Sequence, residues 1–250
     1  MDVAHHNFVA SDGTRLAWHE VGEGRPVVLI HGLFSSAEVN WIKYGHARRI
    51  AELGRRVIMP DLRAHGQSDK PHEPEFYPPD ILSRDALDLI AHLGLVDYDL
   101  GGYSLGARTA LRSVLMGAAP AQFMIAGMGL GGIIDARSRS AHFERVLTGL
   151  GTFERGSPEW MAEAFLKTTK GDPQALLPLL RSFVDTPKGE LSRITQPTLV
   201  LSGADDHDNG SSEELAAQLP NARFVAVPGN HMSVVTTPAF GRAIADFLNA

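Results

Sequence analysis

Gly102-Tyr103-Ser104-Leu105-Gly106 is the stretch on which the reading of this 250-residue chain turns. An apolar segment, Val96-Asp97-Tyr98-Asp99-Leu100-Gly101, precedes it, and a run of helical composition, Ala107 to Met116, follows. Between a strand and a helix, a G-x-S-x-G sequence reads as a nucleophile elbow. Such a turn forces the serine into a strained backbone conformation and holds its hydroxyl out from the sheet edge. Glycine two residues to either side removes the Cβ atoms that would collide with the neighbouring strand and helix. Five residues carry little weight alone, because glycine and serine are common in loops. The rest of the chain has to supply the serine with partners.

Working outward, short apolar runs alternate with helical spacing. Val27-Val28-Leu29-Ile30 and Arg56-Val57-Ile58-Met59 read as buried strands, with a helix predicted between them over Trp41 to Leu53, ending at Gly54. Phe8-Val9-Ala10 and Arg15 to Val21 read as a hairpin at the sheet edge, turning at Asp12-Gly13. A helix over Pro79 to Leu93 precedes the elbow strand, and Gln122 to Ala126 is a further strand. Near the far end, strands over Pro197–Leu201 and Arg223–Val227 alternate with helices over Ser211–Leu219 and Phe240–Leu248. This alternation predicts an α/β fold with a mostly parallel, doubly wound sheet. Ligands in such sheets bind at the carboxyl ends of the strands.

The stretch from Ile133 to Glu190 breaks the pattern. It has no strand-like run and carries Arg137, Arg139, Arg145, Arg155 and Arg181 with Phe143, Phe153, Trp160, Phe165 and Phe183. It reads as a small helical cap inserted at 133–190 into a core formed by 1–132 and 191–250, either scaffolding or a lid over a substrate pocket. Its aromatic residues are expected in the core rather than in the pocket.

Composition narrows the classes of function. Hydrophobic residues at 44% and charged residues at 21% match an ordinary globular protein with ample core. A net charge of −6 without a basic run argues against nucleic acid as a partner. No apolar stretch approaches the roughly 20 residues of a membrane span. The first residues show neither the basic start nor the apolar core of a secretory signal. With no cysteine, disulfides, thiolate metal sites and a cysteine nucleophile are excluded, and a cytoplasmic setting is expected.

A serine hydroxyl needs a base to take its proton, and the base needs a carboxylate to orient it. The strand over 197–201 runs into Ser202-Gly203, with Asp205-Asp206 soon after; the strand over 223–227 runs into Pro228-Gly229-Asn230, then His231. Serine, aspartate and histidine thus arrive at successive strand ends in one order. The chain resembles the α/β-hydrolase family, in its small esterase and peroxidase-like branch, over nearly all its length except the insertion. The resemblance rests on His31-Gly32-Leu33-Phe34, on Asp61-Leu62-Arg63-Ala64-His65-Gly66-Gln67-Ser68-Asp69-Lys70-Pro71, on the elbow, on Gly203-Ala204-Asp205-Asp206 and on Gly229-Asn230-His231. It implies Ser104 as nucleophile and His231 as general base. It implies Asp206 as the acid, with Asp205 next in order and Asp208 third. It also places an oxyanion hole at the backbone N–H groups of Leu33 and Leu105. Phe34 and Tyr103 are expected at the substrate pocket, and Trp41 near the oxyanion loop.

Other features are read as structure. His31 and His65 are expected to hold loops, His207 to share the loop of the acid, and His5 and His6 to form a solvated terminus. Gly127-Met128-Gly129-Leu130-Gly131-Gly132 matches G-x-G-x-x-G, but no strand follows that could end in a ribose-binding acid, so a flexible entrance to the insertion is expected instead. Asp205 to Gly210 begins like a calcium loop, yet its twelfth position is Ala216, so no metal is expected. No cofactor is called for. The expected function is hydrolysis of a small carboxylic ester or related acyl substrate. Carbon–carbon bond hydrolysis, lactone hydrolysis, perhydrolysis and a hydrolase-like ligand receptor remain open alternatives. Serine at position 104 argues against dehalogenase or epoxide hydrolase chemistry, which uses a carboxylate nucleophile. Nothing in the sequence specifies the oligomeric state.

Overall fold

Residues 1–250 are described by a computed structural model. The strands are β1 (Ala4–Val9), β2 (Arg15–Val21), β3 (Arg25–Ile30), β4 (Arg55–Pro60), β5 (Asp99–Tyr103), β6 (Phe123–Ala126), β7 (Thr198–Gly203) and β8 (Ala222–Val227). The helices are α1 (His46–Ala51), α2 (Ile81–His92), α3 (Leu105–Leu115), α4 (Leu130–Ile134), α5 (Ala136–Thr148), α6 (Pro158–Thr168), α7 (Pro173–Arg181), α8 (Ser212–Ala217) and α9 (Pro238–Leu248). The strands form one sheet in the order β1-β2-β4-β3-β5-β6-β7-β8. β2 pairs antiparallel with β1 and with β4, while every pairing from β4 to β8 is parallel. No helix is long and apolar enough to cross a membrane.

Strand side chains alternate between the two faces of a sheet, and here both faces are apolar. On β3, Val28 and Ile30 join a core with Leu105, Leu111 and Leu89 under α2 and α3. Val27 and Leu29 join Ile50, Phe240 and Ile244 under α1 and α9 on the other face. Continuous apolar runs therefore mark β3, β4 and β6, as burial on both faces requires. Leu147, Leu166, Leu176 and Leu179 of the 133–190 stretch belong to the α2–α3 side of the core. That stretch contains helices and no strand.

Two elements depart from their predicted form. The helix expected over Trp41–Leu53 is divided into a π-helical turn over Glu38–Ile42 and α1, because Gly45 takes a left-handed φ of +76° between them. The elbow strand begins at Asp99 rather than Val96. Val96 is 88% exposed, whereas the Asp99 side chain is buried and accepts hydrogen bonds from Arg25 (2.9 Å) and Arg55 (2.8 Å). His5 and His6 lie in the edge strand β1 rather than in a free end; His5 is exposed as expected, while His6 is half-buried and stacks on Trp18.

The approach of α3 to the sheet leaves no room at the elbow glycines. A Cβ on Gly106 would lie 2.2 Å from the Ile30 carbonyl oxygen and 2.5 Å from that of His31. One on Gly102 would lie 2.3 Å from the Gly106 carbonyl carbon. Both obstacles are backbone atoms that cannot swing aside. Gly106→Ala is therefore expected to destabilise the fold by about 1–3 kcal/mol, the usual cost of overpacking, as read by denaturant unfolding. A variant as stable as the parent would contradict this packing.

Candidate active site

The elbow closes at the carboxyl end of β5. Ser104 has φ +54° and ψ −117°, immediately before the first turn of α3. Its N–H donates to the Ala126 carbonyl (2.8 Å) and its carbonyl accepts from Arg108 N–H (3.1 Å), which pins the turn between β6 and the helix. A residue with a Cβ held in such a region carries on the order of 1–3 kcal/mol of strain. The conformation persists because the neighbouring packing leaves no other.

The loops after β7 and β8 bring two more groups to this point. Ala204 N–H donates to Val227 O (2.7 Å) and Asp205 N–H to Gly229 O (3.0 Å), tying the two loops together. A Cβ on Gly203 would sit 2.1 Å from the Gly229 carbonyl oxygen, so the close approach requires glycine there. As a result His231 Nδ1 lies 2.9 Å from Asp206 Oδ2, and His231 Nε2 lies 3.1 Å from Ser104 Oγ. A carboxylate on Nδ1 keeps the ring proton there and turns the Nε2 lone pair toward the serine hydroxyl. Asp205 is exposed, and its carboxylate makes no hydrogen bond to His231. Asp208 is also exposed, though Asp206, Asp208 and His231 each offer a ligand atom within 4.8 Å of the others. Both ring nitrogens of His231 already have partners, which leaves that trio poorly suited to an ion.

Backbone donors flank Ser104 from two sides. The N–H of Gly32 donates to Asn40 Oδ1 (2.8 Å) and that of Phe34 to His65 Nε2 (3.1 Å), while the Leu33 N–H between them has no acceptor within the protein. Leu105 opens α3, where first-turn N–H groups have no intrahelical partner. Leu33, Leu105 and Ser104 all face one cavity. Two free N–H groups beside a hydroxyl, one at a helix N-terminus, suit an oxygen that gains negative charge.

Buried histidines hold the first of these donors. His31 Nδ1 donates to the Gly32 carbonyl (2.8 Å) and its Nε2 accepts from Leu62 N–H (3.0 Å). His65 Nδ1 donates to the Arg63 carbonyl (3.0 Å), and its Nε2 accepts from Phe34 as above. Carbonyls only accept and amides only donate, so both rings are neutral and protonated on Nδ1. Burial pushes His65 down to about 3. Burial also lowers His31, against the opposing pull of Asp61. The Asp61 carboxylate accepts from His19 Nε2 (3.0 Å), Ala37 N–H (2.9 Å) and Gln67 N–H (2.8 Å). Burial would raise Asp61, but these hydrogen bonds hold it well below the usual carboxylate range.

The cavity measures about 430 Å³ and is mostly apolar, with Phe34, Met128, Phe143, Met161, Phe165 and Phe183 among its walls. Tyr103, expected at the pocket, is not there. Strand alternation sends its ring to the α1–α9 face, where it packs on Phe240 and its hydroxyl donates to the His231 carbonyl. Trp41 stacks on Phe240 of the same face, one residue after Asn40, whose side chain accepts from Gly32 of the oxyanion loop. Phe143, Phe165 and Phe183 correct a second expectation, since these aromatics of the 133–190 stretch line the cavity as well as packing against the core. The glycines of 127–132 are tightly packed rather than a flexible entrance. A Cβ on Gly127 would lie 2.4 Å from the Tyr103 ring, and one on Gly129 would lie 2.1 Å from the Gly210 carbonyl oxygen. Sequence reasoning missed Arg108, Arg139, His142 and Asn209 at the cavity wall. Arg108 was open to discovery, because it lies one helical turn after Ser104.

Comparison with known proteins places this geometry in context. Residues 27–240 match the model of the "Alpha/beta hydrolase family". A non-heme haloperoxidase of Rhodococcus erythropolis is 26% identical over 268 residues, covering 92% of this chain and 93% of that protein. The acetyltransferase component of an acetoin cleaving system from Pseudomonas putida is 37% identical over 131 residues, which span 50% of this chain but only 33% of that protein. Among solved structures, a hydrolase from Pseudomonas aeruginosa PA01 superimposes with a TM-score of 0.76 at 26% identity, covering 98% of both chains.

The neutral loop histidines give the protein a pH dependence of known sign. An unfolded histidine titrates near 6.5, so between about 3 and 6.5 the unfolded chain binds protons that native His65 refuses. Stability from this site is complete above that window and is lost as pH falls through it. In His65→Gln the amide oxygen can still accept from Phe34 without titrating. Between pH 7 and 4 its melting temperature is expected to fall less than that of the parent by about 4 °C or more. Parallel melting curves would contradict the assignment.

Proposed function

This chain belongs to the alpha/beta hydrolase family, and on that premise we propose that it is a serine hydrolase acting on a small carboxylic ester or related acyl compound. The reading rests on one observation: the unbroken hydrogen-bonded line from Ser104 Oγ through His231 to Asp206, at the wall of an apolar cavity. In this scheme Ser104 Oγ attacks the substrate carbonyl as its proton passes to His231 Nε2. The oxygen of the tetrahedral intermediate accepts from the N–H groups of Leu33 and Leu105. Each such donor typically contributes on the order of 3 kcal/mol of transition-state stabilisation. His231 then protonates the leaving alcohol, and the acyl group stays on Ser104. A water, deprotonated by His231, attacks the acyl-enzyme and releases the acid with free Ser104. Asp206 keeps the imidazole in place and balances its charge. Residues 133–190 act as a cap that sets which acyl and alcohol groups fit.

The tests follow from the division of roles. A fluorophosphonate is expected to label Ser104 in the folded protein, and labelling elsewhere or not at all would overturn the proposal. Against a short-chain p-nitrophenyl ester, Ser104→Ala and His231→Ala are expected to lower kcat by roughly 10⁴- to 10⁶-fold and Asp206→Asn by about 10⁴-fold. Asp205→Asn should change it little. If Asp205→Asn is the damaging change and Asp206→Asn is not, the acid has been misassigned.

A further inference from the structure

A guanidinium lies buried beside the reacting groups with no anion to balance it. Arg108 stands on α3 four residues beyond Ser104, about one helical turn, and lines the same cavity. It is only 6% exposed. The guanidinium makes a single hydrogen bond within the protein, a long one of 3.4 Å from Nη1 to the Val184 carbonyl. The acids whose charge reaches it are occupied by other arginines: Asp80 accepts from Arg112 Nε (3.0 Å), and Asp185 lies 3.8 Å from Arg137. Burial lowers Arg108 to about 10, which still leaves it charged near neutral pH.

The packing shows which side of the group is available. The ring of Phe183 lies 3.8 Å from the guanidinium carbon, so one face is covered and the N–H edges remain to be satisfied. A planar fork of donors with its face stacked on an aromatic ring matches a planar carboxylate, bound through two parallel hydrogen bonds. A second cation lines the cavity: Arg139, whose Nε is buried without a partner. Asp208, at the exposed rim, is the one acidic residue in the lining. In a chain whose overall charge is −6, the reaction chamber is locally cationic.

We propose that Arg108 receives a carboxylate carried on the substrate away from the scissile carbonyl, so that the preferred ester is an anionic one, such as a half-ester of a dicarboxylic acid. This rests on Ser104 being the nucleophile, and it narrows that reading to a substrate class. The apolar walls contact the chain between the two ends, and the guanidinium sets the register that brings the ester carbonyl to Ser104.

Monomethyl adipate and methyl hexanoate share a six-carbon acyl chain and differ in the distal carboxylate. The wild-type enzyme is expected to favour monomethyl adipate in kcat/KM. In Arg108→Gln the ratio of the two kcat/KM values should fall by about 30-fold or more, as on losing one partner of a buried charged pair. Arg108→Lys, which keeps the charge but not the fork, should give an intermediate ratio and serves also if Arg108→Gln does not fold. Binding is read without turnover in Ser104→Ala protein. There monomethyl adipate should raise the melting temperature, methyl hexanoate should not, and adding the Arg108→Gln change should abolish the difference. An unchanged ratio, or a melting shift that survives loss of Arg108, would overturn the proposal even if Ser104 is labelled. A shift that depends on Arg108 in a protein whose Ser104 resists labelling would uphold the carboxylate site and discard the nucleophile.

Discussion

The carboxyl edge of the sheet is organised by a backbone conformation that Ser104 would not adopt in isolation. At φ +54° and ψ −117° the residue sits where side-chain-bearing residues are rarely found. It is held there by contacts that cannot yield: the Ala126 carbonyl on its N–H, the Ile30 and His31 carbonyls against Gly106, and the Gly106 backbone against Gly102. These constraints put the hydroxyl at the head of α3, beside free N–H groups and within reach of an imidazole. If the turn relaxed, the hydroxyl would lose the imidazole and those N–H groups together.

The supporting shell is built largely from buried polar groups, each with a partner of fixed kind. His31 and His65 are neutral because each ring lies between a carbonyl and an amide, and Asp61 is ionised because amides and His19 converge on it. Such networks are costly when incomplete and rigid when complete. They keep the Leu33 N–H facing the cavity while the N–H groups on either side of it are taken by Asn40 and His65. Arg108 is the exception. It is buried and charged, and its guanidinium is barely satisfied by the protein itself. This contrast singles it out from the structural arginines, such as Arg63 with its two bonds to Asp85.

Much of this arrangement was legible in the sequence, because periodicity and glycine placement report backbone demands directly. The continuous apolar runs of β3 and β4 announced strands buried on both faces, and the spacing around Ser104 announced a crowded turn. Asp206 and His231 could be placed because they follow strands whose ends a parallel sheet gathers at one edge. Other features depend on three-dimensional neighbours and left no such trace. Tyr103 is adjacent to Ser104 in sequence yet lies on the opposite face, since pleating separates consecutive side chains. Phe143, Phe165 and Phe183 belong both to the core and to the cavity, a dual role that helical spacing alone does not reveal. The glycines of 127–132 looked like a phosphate loop or a flexible joint. Their actual cause is contact with Tyr103, Gly210 and Asn209, which lie far away in sequence.

Rapid mixing tests most directly whether Ser104 carries the acyl group during turnover. Enzyme mixed with a molar excess of a p-nitrophenyl ester should release about one equivalent of p-nitrophenolate in a burst before steady state, the fingerprint of an accumulating acyl-enzyme. Protein quenched during the burst should carry the acyl mass on the peptide containing Ser104. Sustained hydrolysis with no acyl mass on that peptide, in protein quenched at any time, would contradict the role of Ser104 as acyl carrier.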